Sequence, residues 1–154
     1  MSGRGAVALH AVLTSQRVNS KPKTKTPLTK TQAARAYLLA VAPVSTASLT
    51  FTKDTTKWTS ATTGPDAAAQ ALPVIRADAT SRTKILRIKW PTKLEADIHR
   101  LVTTGDKVTS DLKALAAPTP PKLGTWEKKY LEDSARLTSA ANTVRRKLGL
   151  SRVR

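Results

Sequence analysis

The sequence predicts an all-α protein, an antiparallel four-helix bundle preceded by a basic, largely disordered N-terminal tail. Three observations carry that expectation. Four segments repeat apolar residues at alternating spacings of three and four, the rhythm of one helical face. Connectors marked by Pro and Gly separate these segments, and no strand-rich or strand–helix alternation competes. Alanine, the best helix former, and threonine, suited to caps and exposed faces, each occur 23 times among 154 residues. A core built on so much alanine lets helices approach closely but buries modest area.

Residues 1–28 are read as the tail. Up to Lys30 the chain carries Arg4, Arg17, Lys21, Lys23, Lys25 and Lys30 without an acid. The stretch Ser20-Lys21-Pro22-Lys23-Thr24-Lys25-Thr26-Pro27 is polar, self-repelling and broken by proline, so it has nothing to bury. Ala6 to Leu13 is mildly apolar, interrupted by His10, and a weak match to an export signal.

Residues 29–150 are read as the bundle. Thr29 and Gln32 have capping-box spacing. Behind them Tyr37, Val41, Val44, Ser48, Phe51, Thr55 and Trp58 mark one face of a first helix, with a kink expected at Pro43. Gly64-Pro65-Asp66 reads as a turn with Asp66 as the next N-cap. A second helix over 66–89 would bury Ala68, Leu72, Ile75, Ala79 and Leu86; Lys84 to Trp90 also alternates basic and apolar residues, which makes a short strand the competing reading. Thr92 and Glu95 suggest another capping box, and Leu94, Ile98, Leu101, Gly105, Val108, Leu112 and Leu115 define the third helix. After the stiff run Ala117 to Gly124, the fourth helix starts near Thr125. It shows Tyr130, Ser134, Leu137, Ala141, Val144 and Leu148, with Gly149 as its stop. Residues 151–154 form a basic C-terminal tail.

Several function classes are excluded or left without candidates. Without cysteine there is no disulfide framework, thiol nucleophile, Cys-based zinc site or iron–sulfur cluster. No run approaches the ~20 apolar residues of a membrane-spanning helix. Glu95 and His99 share a helical face, but no third metal ligand can be named, and His10 is the one other histidine. No nucleophile elbow, Walker motif or dinucleotide fingerprint is present, so no catalytic residue, cofactor or metal site is assigned and an enzyme is not expected. Asp78 with Arg82 and Glu132 with Arg136 have the i,i+4 order that favours local ion pairs.

Charge is the strongest functional feature. Lys and Arg number 27 against 10 Asp and Glu, a formal net charge of +17. Arg76, Lys84 and Arg87 fall on one stripe of the second helix, and Arg145, Arg146, Lys147, Arg152 and Arg154 crowd the C-terminus. These are the candidate polyanion-binding residues. The plainest reading is a solvated surface that keeps the chain in solution; among partners, an anionic envelope or membrane surface comes first, with nonspecific nucleic-acid binding as the alternative, and interleaved aromatics, helix-turn-helix spacing and a zinc module are missing. Trp58, Trp90 and Trp126 sit near predicted helix ends; Trp58 and Trp126 continue the apolar faces, so core or lid packing is the first reading, and if the bundle opens at one end the same indoles would line a pocket for a small hydrophobic ligand.

Thr31-Gln32-Ala33-Ala34, Ala36-Tyr37-Leu38 and Ala40-Val41-Ala42-Pro43-Val44 resemble the first helix of small actinobacterial extracytoplasmic proteins, many of them lipoproteins. Lys89-Trp90-Pro91, Asp111-Leu112-Lys113-Ala114-Leu115, Ala140-Ala141-Asn142-Thr143-Val144-Arg145 and Leu148-Gly149-Leu150 fit the same pattern. The resemblance covers roughly residues 29–150 and rests on framework residues. It implies a helical bundle outside the membrane and little else; a monomer is expected. Lipid-anchored members carry a cysteine that this chain lacks, so an extracytoplasmic location is expected if an export signal lies upstream, and a cytoplasmic one otherwise.

Overall fold

The computed structural model describes residues 26–153, so sequence expectations for residues 1–25 and for Arg154 lie outside the described residues. Four helices follow in order: α1 Lys30–Thr55, α2 Gly64–Arg87, α3 Thr92–Ala114 and α4 Leu123–Leu148. There is no strand among the described residues, and Lys84 to Arg87 belong to α2, which removes the strand alternative. Neighbouring helices run antiparallel. One core cluster joins Ala33 and Tyr37 at the start of α1, Ile85 at the end of α2, Leu94 at the start of α3 and Leu148 at the end of α4. The other joins Phe51, Ala67, Leu112 and Trp126 from the opposite helix ends. α1 packs chiefly on α2 and α3 on α4, while α2 and α3 link the two hairpins and α1 meets α4 over a narrow seam.

Local chemistry sets the helix boundaries. Thr29 and Gln32 form the expected box: the Gln32 amide donates to Thr29 Oγ1 at 3.3 Å and the Thr29 amide to Gln32 Oε1 at 3.0 Å. At α2 the cap is Thr63 rather than Asp66, which occupies the third helical position. Its amide donates to Thr63 Oγ1 at 3.3 Å, and its carboxylate accepts from the Thr63 amide at 3.3 Å. The Thr63 hydroxyl also donates to that carboxylate, and together these hydrogen bonds hold the Asp66 pKa below its ordinary value. The expected Thr92–Glu95 box does not form, because Thr92 is already helical; Pro91 takes the cap position and its carbonyl accepts from the Leu94 amide at 2.8 Å. α4 starts at Leu123, two residues before the expected Thr125, with the Lys122 carbonyl accepting from the amides of Thr125 and Trp126. It ends at Gly149, φ +76°, where Gly149 donates to the Arg146 carbonyl and Leu150 to that of Arg145, a Schellman closure. α1 and α2 continue through Pro43 and Pro73.

The buried faces agree with the sequence best along α3, where Leu94, Ile98, Leu101, Gly105, Val108, Leu112 and Leu115 are all buried. α2 is corrected. Its buried residues are Ala67, Ala71, Val74, Ser81 and Ile85, one position off the predicted stripe, and Leu72 and Leu86 are 42% and 57% exposed. The cause is close packing: Ala67 and Ala71 lie fully buried against the neighbouring helices, which turns the larger leucines outward. The core contribution also begins before α1, since Leu28, placed in the tail by the sequence, packs against the first cluster. Between the two clusters lies a cavity of about 80 Å³ lined by residues that include Ser81, Leu101, Gly105 and Leu137.

Candidate functional site

Antiparallel order brings the starts of α1 and α3 and the ends of α2 and α4 to one end of the bundle. Two basic stretches distant in sequence therefore become neighbours there. Lys84 and Arg87 come from the last turn of α2, Lys89 from the following turn, Lys93 from α3, and Arg145, Arg146 and Lys147 from the last turn of α4. Lys30 joins them from α1, its side chain lying against Gly149, so that a Cβ placed on the glycine would stand 3.3 Å from its ammonium. Cations over a helix C-terminus also offset the partial negative charge of the last carbonyls. Of the ten acids in the chain, only Glu95 and Asp97 lie in the helix turns at this end.

The candidate residues are not equivalent. Lys84, Arg87, Arg146 and Arg152 are exposed. Arg76 is exposed on the same stripe of α2, but roughly 16 Å along the helix from Arg87, at 1.5 Å rise per residue. Lys147 is bound to Asp97 of α3, which removes it from the free cations. Arg145 is half-buried; its Nε donates to the Ser151 carbonyl and its guanidinium lies beside Tyr37. Burial raises the Tyr37 pKa, with the Arg145 charge and hydrogen bond opposing. The predicted C-terminal tail is folded back. Asn142 clamps Val153 by two hydrogen bonds, its Nδ2 donating to the Val153 carbonyl at 3.1 Å and its Oδ1 accepting from the Val153 amide at 2.9 Å. That return sets Arg152 beside Arg146 along a shallow depression on α4.

The three tryptophans do not line one pocket. Trp90 is buried at the basic end, where its indole donates to the Ile85 carbonyl at 3.0 Å and closes the end of α2. Trp58 and Trp126 meet at the opposite end, 5.6 Å between ring centroids, with Tyr130 stacked on Trp126 at 4.9 Å and Phe51 edge-on to both Trp58 and Tyr130 at 5.9 Å.

Sequence reasoning missed a polar cluster inside the α3–α4 hairpin. Asp111 and Asp133 are both buried, and the Lys129 ammonium bridges them, reaching Asp133 Oδ2 at 3.0 Å; Arg136 Nη1 donates to Asp133 Oδ1 at 2.9 Å. The Lys129 hydrogen bond is the main reason that the Asp133 pKa is lowered, and the two carboxylates raise that of Lys129 in turn. One legible signal was the Lys129–Asp133 spacing, in the less favourable i,i+4 order. The ion pairs the sequence favoured are replaced: Arg136 takes Asp133 rather than Glu132, and Arg82 takes Asp106 of α3 through two bonds of 2.8 and 3.2 Å rather than Asp78. Asp78 instead accepts from the Thr109 hydroxyl at 2.8 Å. For Arg82 a partner across the helix interface replaces the one on its own helix, whereas Arg136 stays on α4 and takes the buried Asp133 in place of its neighbour Glu132.

Glu95 and His99 are both exposed on α3, and no group of three His, Asp or Glu side chains suited to a metal occurs among the described residues. Nor is any helix among them long and apolar enough to cross a membrane. Fold and surface together define an all-α four-helix protein with one strongly basic end. No family model, curated protein or solved structure matches the chain.

Proposed function

We propose that the chain is a non-enzymatic anion-binding bundle that sets its basic end against a phosphate-rich surface, an anionic envelope polymer or a layer of lipid head groups. The observation that carries this reading is the convergence of Lys30, Lys84, Arg87, Arg146 and Arg152 at one end, with two acids among the neighbouring helix turns. A compact basic end suits a broad anionic surface. An extracytoplasmic setting, which the resemblance of residues 29–150 implies where an export signal lies upstream, belongs to the same proposal.

Binding to vesicles with and without anionic lipid, measured by flotation at near-physiological salt, tests the reading. Each cation near an anionic membrane is worth about 1 kcal/mol, or roughly fivefold in affinity. The double variant Arg87→Gln/Arg146→Gln should therefore bind anionic vesicles about 25-fold more weakly, and Arg76→Gln should change binding much less. Equal losses for the two variants would refute a site at the basic end. Tighter binding to duplex DNA than to anionic vesicles at matched charge and salt would favour the nucleic-acid alternative, for which affinity falls steeply with salt as counterions are released.

A further inference from the structure

The end of the bundle opposite the basic cluster has its own chemistry. Four of the six aromatic side chains in the chain, Phe51, Trp58, Trp126 and Tyr130, converge there. Beside them opens a pocket of about 290 Å³, walled by Trp58, Trp126, Tyr130, Leu131, Thr55 and Thr56, with Glu127 as its one charged residue. Among the described residues, no Lys or Arg lines it.

The hydrogen bonds of the lining residues narrow the ligand class. Trp58 Nε1 donates to Gln70 Oε1 at 2.7 Å and Trp126 Nε1 to the Asp111 carbonyl at 2.7 Å. The Thr55 and Thr56 hydroxyls donate to the Thr52 and Lys53 carbonyls at 2.8 and 2.7 Å. Both indole N–H groups and both threonine protons are thus spent within the protein. The pocket is left with ring faces, oxygen lone pairs, the Tyr130 hydroxyl and the Glu127 carboxylate; that O–H is the one side-chain donor its lining keeps, and the rings and the carboxylate suit a positive charge. Aromatic faces attract a cation through their quadrupole, and the attraction is strongest for Trp.

We infer that this pocket binds a small organic cation of the alkylammonium type, with its charge held against Trp58 and Tyr130 and balanced by Glu127. The site lies at the opposite end from the basic cluster and does not depend on that cluster's function.

Choline and its uncharged carbon isostere, dimethylbutanol, distinguish cation recognition from simple apolar burial. They are titrated into the full chain at constant ionic strength while the indole N–H resonances are followed by NMR, assigned from single Trp→Phe variants. Choline should shift the Trp58 and Trp126 signals saturably and leave that of Trp90, at the far end, in place. One exposed cation–π contact, at about 0.5–1 kcal/mol, makes choline about two- to fivefold tighter than the isostere. Glu127→Gln, at an exposed position, should weaken choline several-fold without changing isostere binding. The inference is overturned if choline gives no saturable shift, if the isostere binds as tightly, if Trp90 shifts with the other two, or if Glu127→Gln leaves choline affinity unchanged.

Discussion

Replacing Gly105 with alanine should stabilise the protein. The glycine lies inside α3, where the absence of a side chain costs about 1 kcal/mol relative to alanine through backbone entropy. A buried glycine in a helix usually marks a neighbouring helix too close for a Cβ, and that is not the case here. A Cβ at Gly105 would stand 3.8 Å from Asp78 Oδ1 and 4.0 Å from Leu137 Cδ1, both ordinary van der Waals contacts. It would also enter the lining of the cavity of about 80 Å³ between the two core clusters, gaining contacts where few exist now. The expected gain is ~1 kcal/mol, which for a chain of this size raises Tm by about 2–4 °C. Thermal and urea unfolding followed by far-UV circular dichroism measures it. Gly149 serves as the opposite control: Gly149→Ala forces a side chain into the left-handed conformation at φ +76°, 3.3 Å from Lys30, and should destabilise. Loss of stability in Gly105→Ala would mean that α2 and α4 crowd this position more tightly than the packing described.

Leu101→Ala should cost about 2–5 kcal/mol, and Leu72→Ala, at a residue 42% exposed, no more than about 0.5 kcal/mol; equal losses in urea melts would contradict the orientation of α2. Thr63→Ala removes the side-chain half of the α2 capping box, leaving the bond from the residue-63 amide to Asp66, and should lose about 1 kcal/mol, with Thr63→Ser restoring most of it. The Asp133 pKa lies below its ordinary value of 3.8, so between the two values the unfolded chain binds the extra proton. Its stabilising contribution is full above 3.8 and is lost as pH falls through the lowered folded value; Asp133→Asn should flatten that acid limb in pH-dependent urea melts, and parallel limbs would show that the Lys129 and Arg136 pairing contributes nothing. Lys129→Met removes the bridge between Asp111 and Asp133 and should lower Tm, more at neutral pH than in acid, where protonated carboxylates no longer require it.

The sequence by itself determined the fold class, the number of helices, the Thr29–Gln32 cap, the Gly149 stop and the apolar part of the buried face of α3. These features are local. Apolar spacing and capping chemistry act within one or two turns, and on α3 the large residues coincide with the face that a two-sided packing environment needs. On α2 the same logic missed by one position, because the space between α1 and α3 admits Ala67 and Ala71 and turns Leu72 and Leu86 out, and helix separation is a property of the pair. Asp111 and Asp133 are separated by the last turn of α3, a connector and nearly three turns of α4, so their shared lysine was invisible until α3 and α4 were set side by side. Tertiary structure likewise chose Asp106 over Asp78 for Arg82, and sent Trp90 to one end of the molecule and Trp58 and Trp126 to the other. The basic residues could be counted in advance, but not gathered. Which of them share an end follows from antiparallel order, and which remain free follows from carboxylates such as Asp97 that only a folded neighbour can bring within reach.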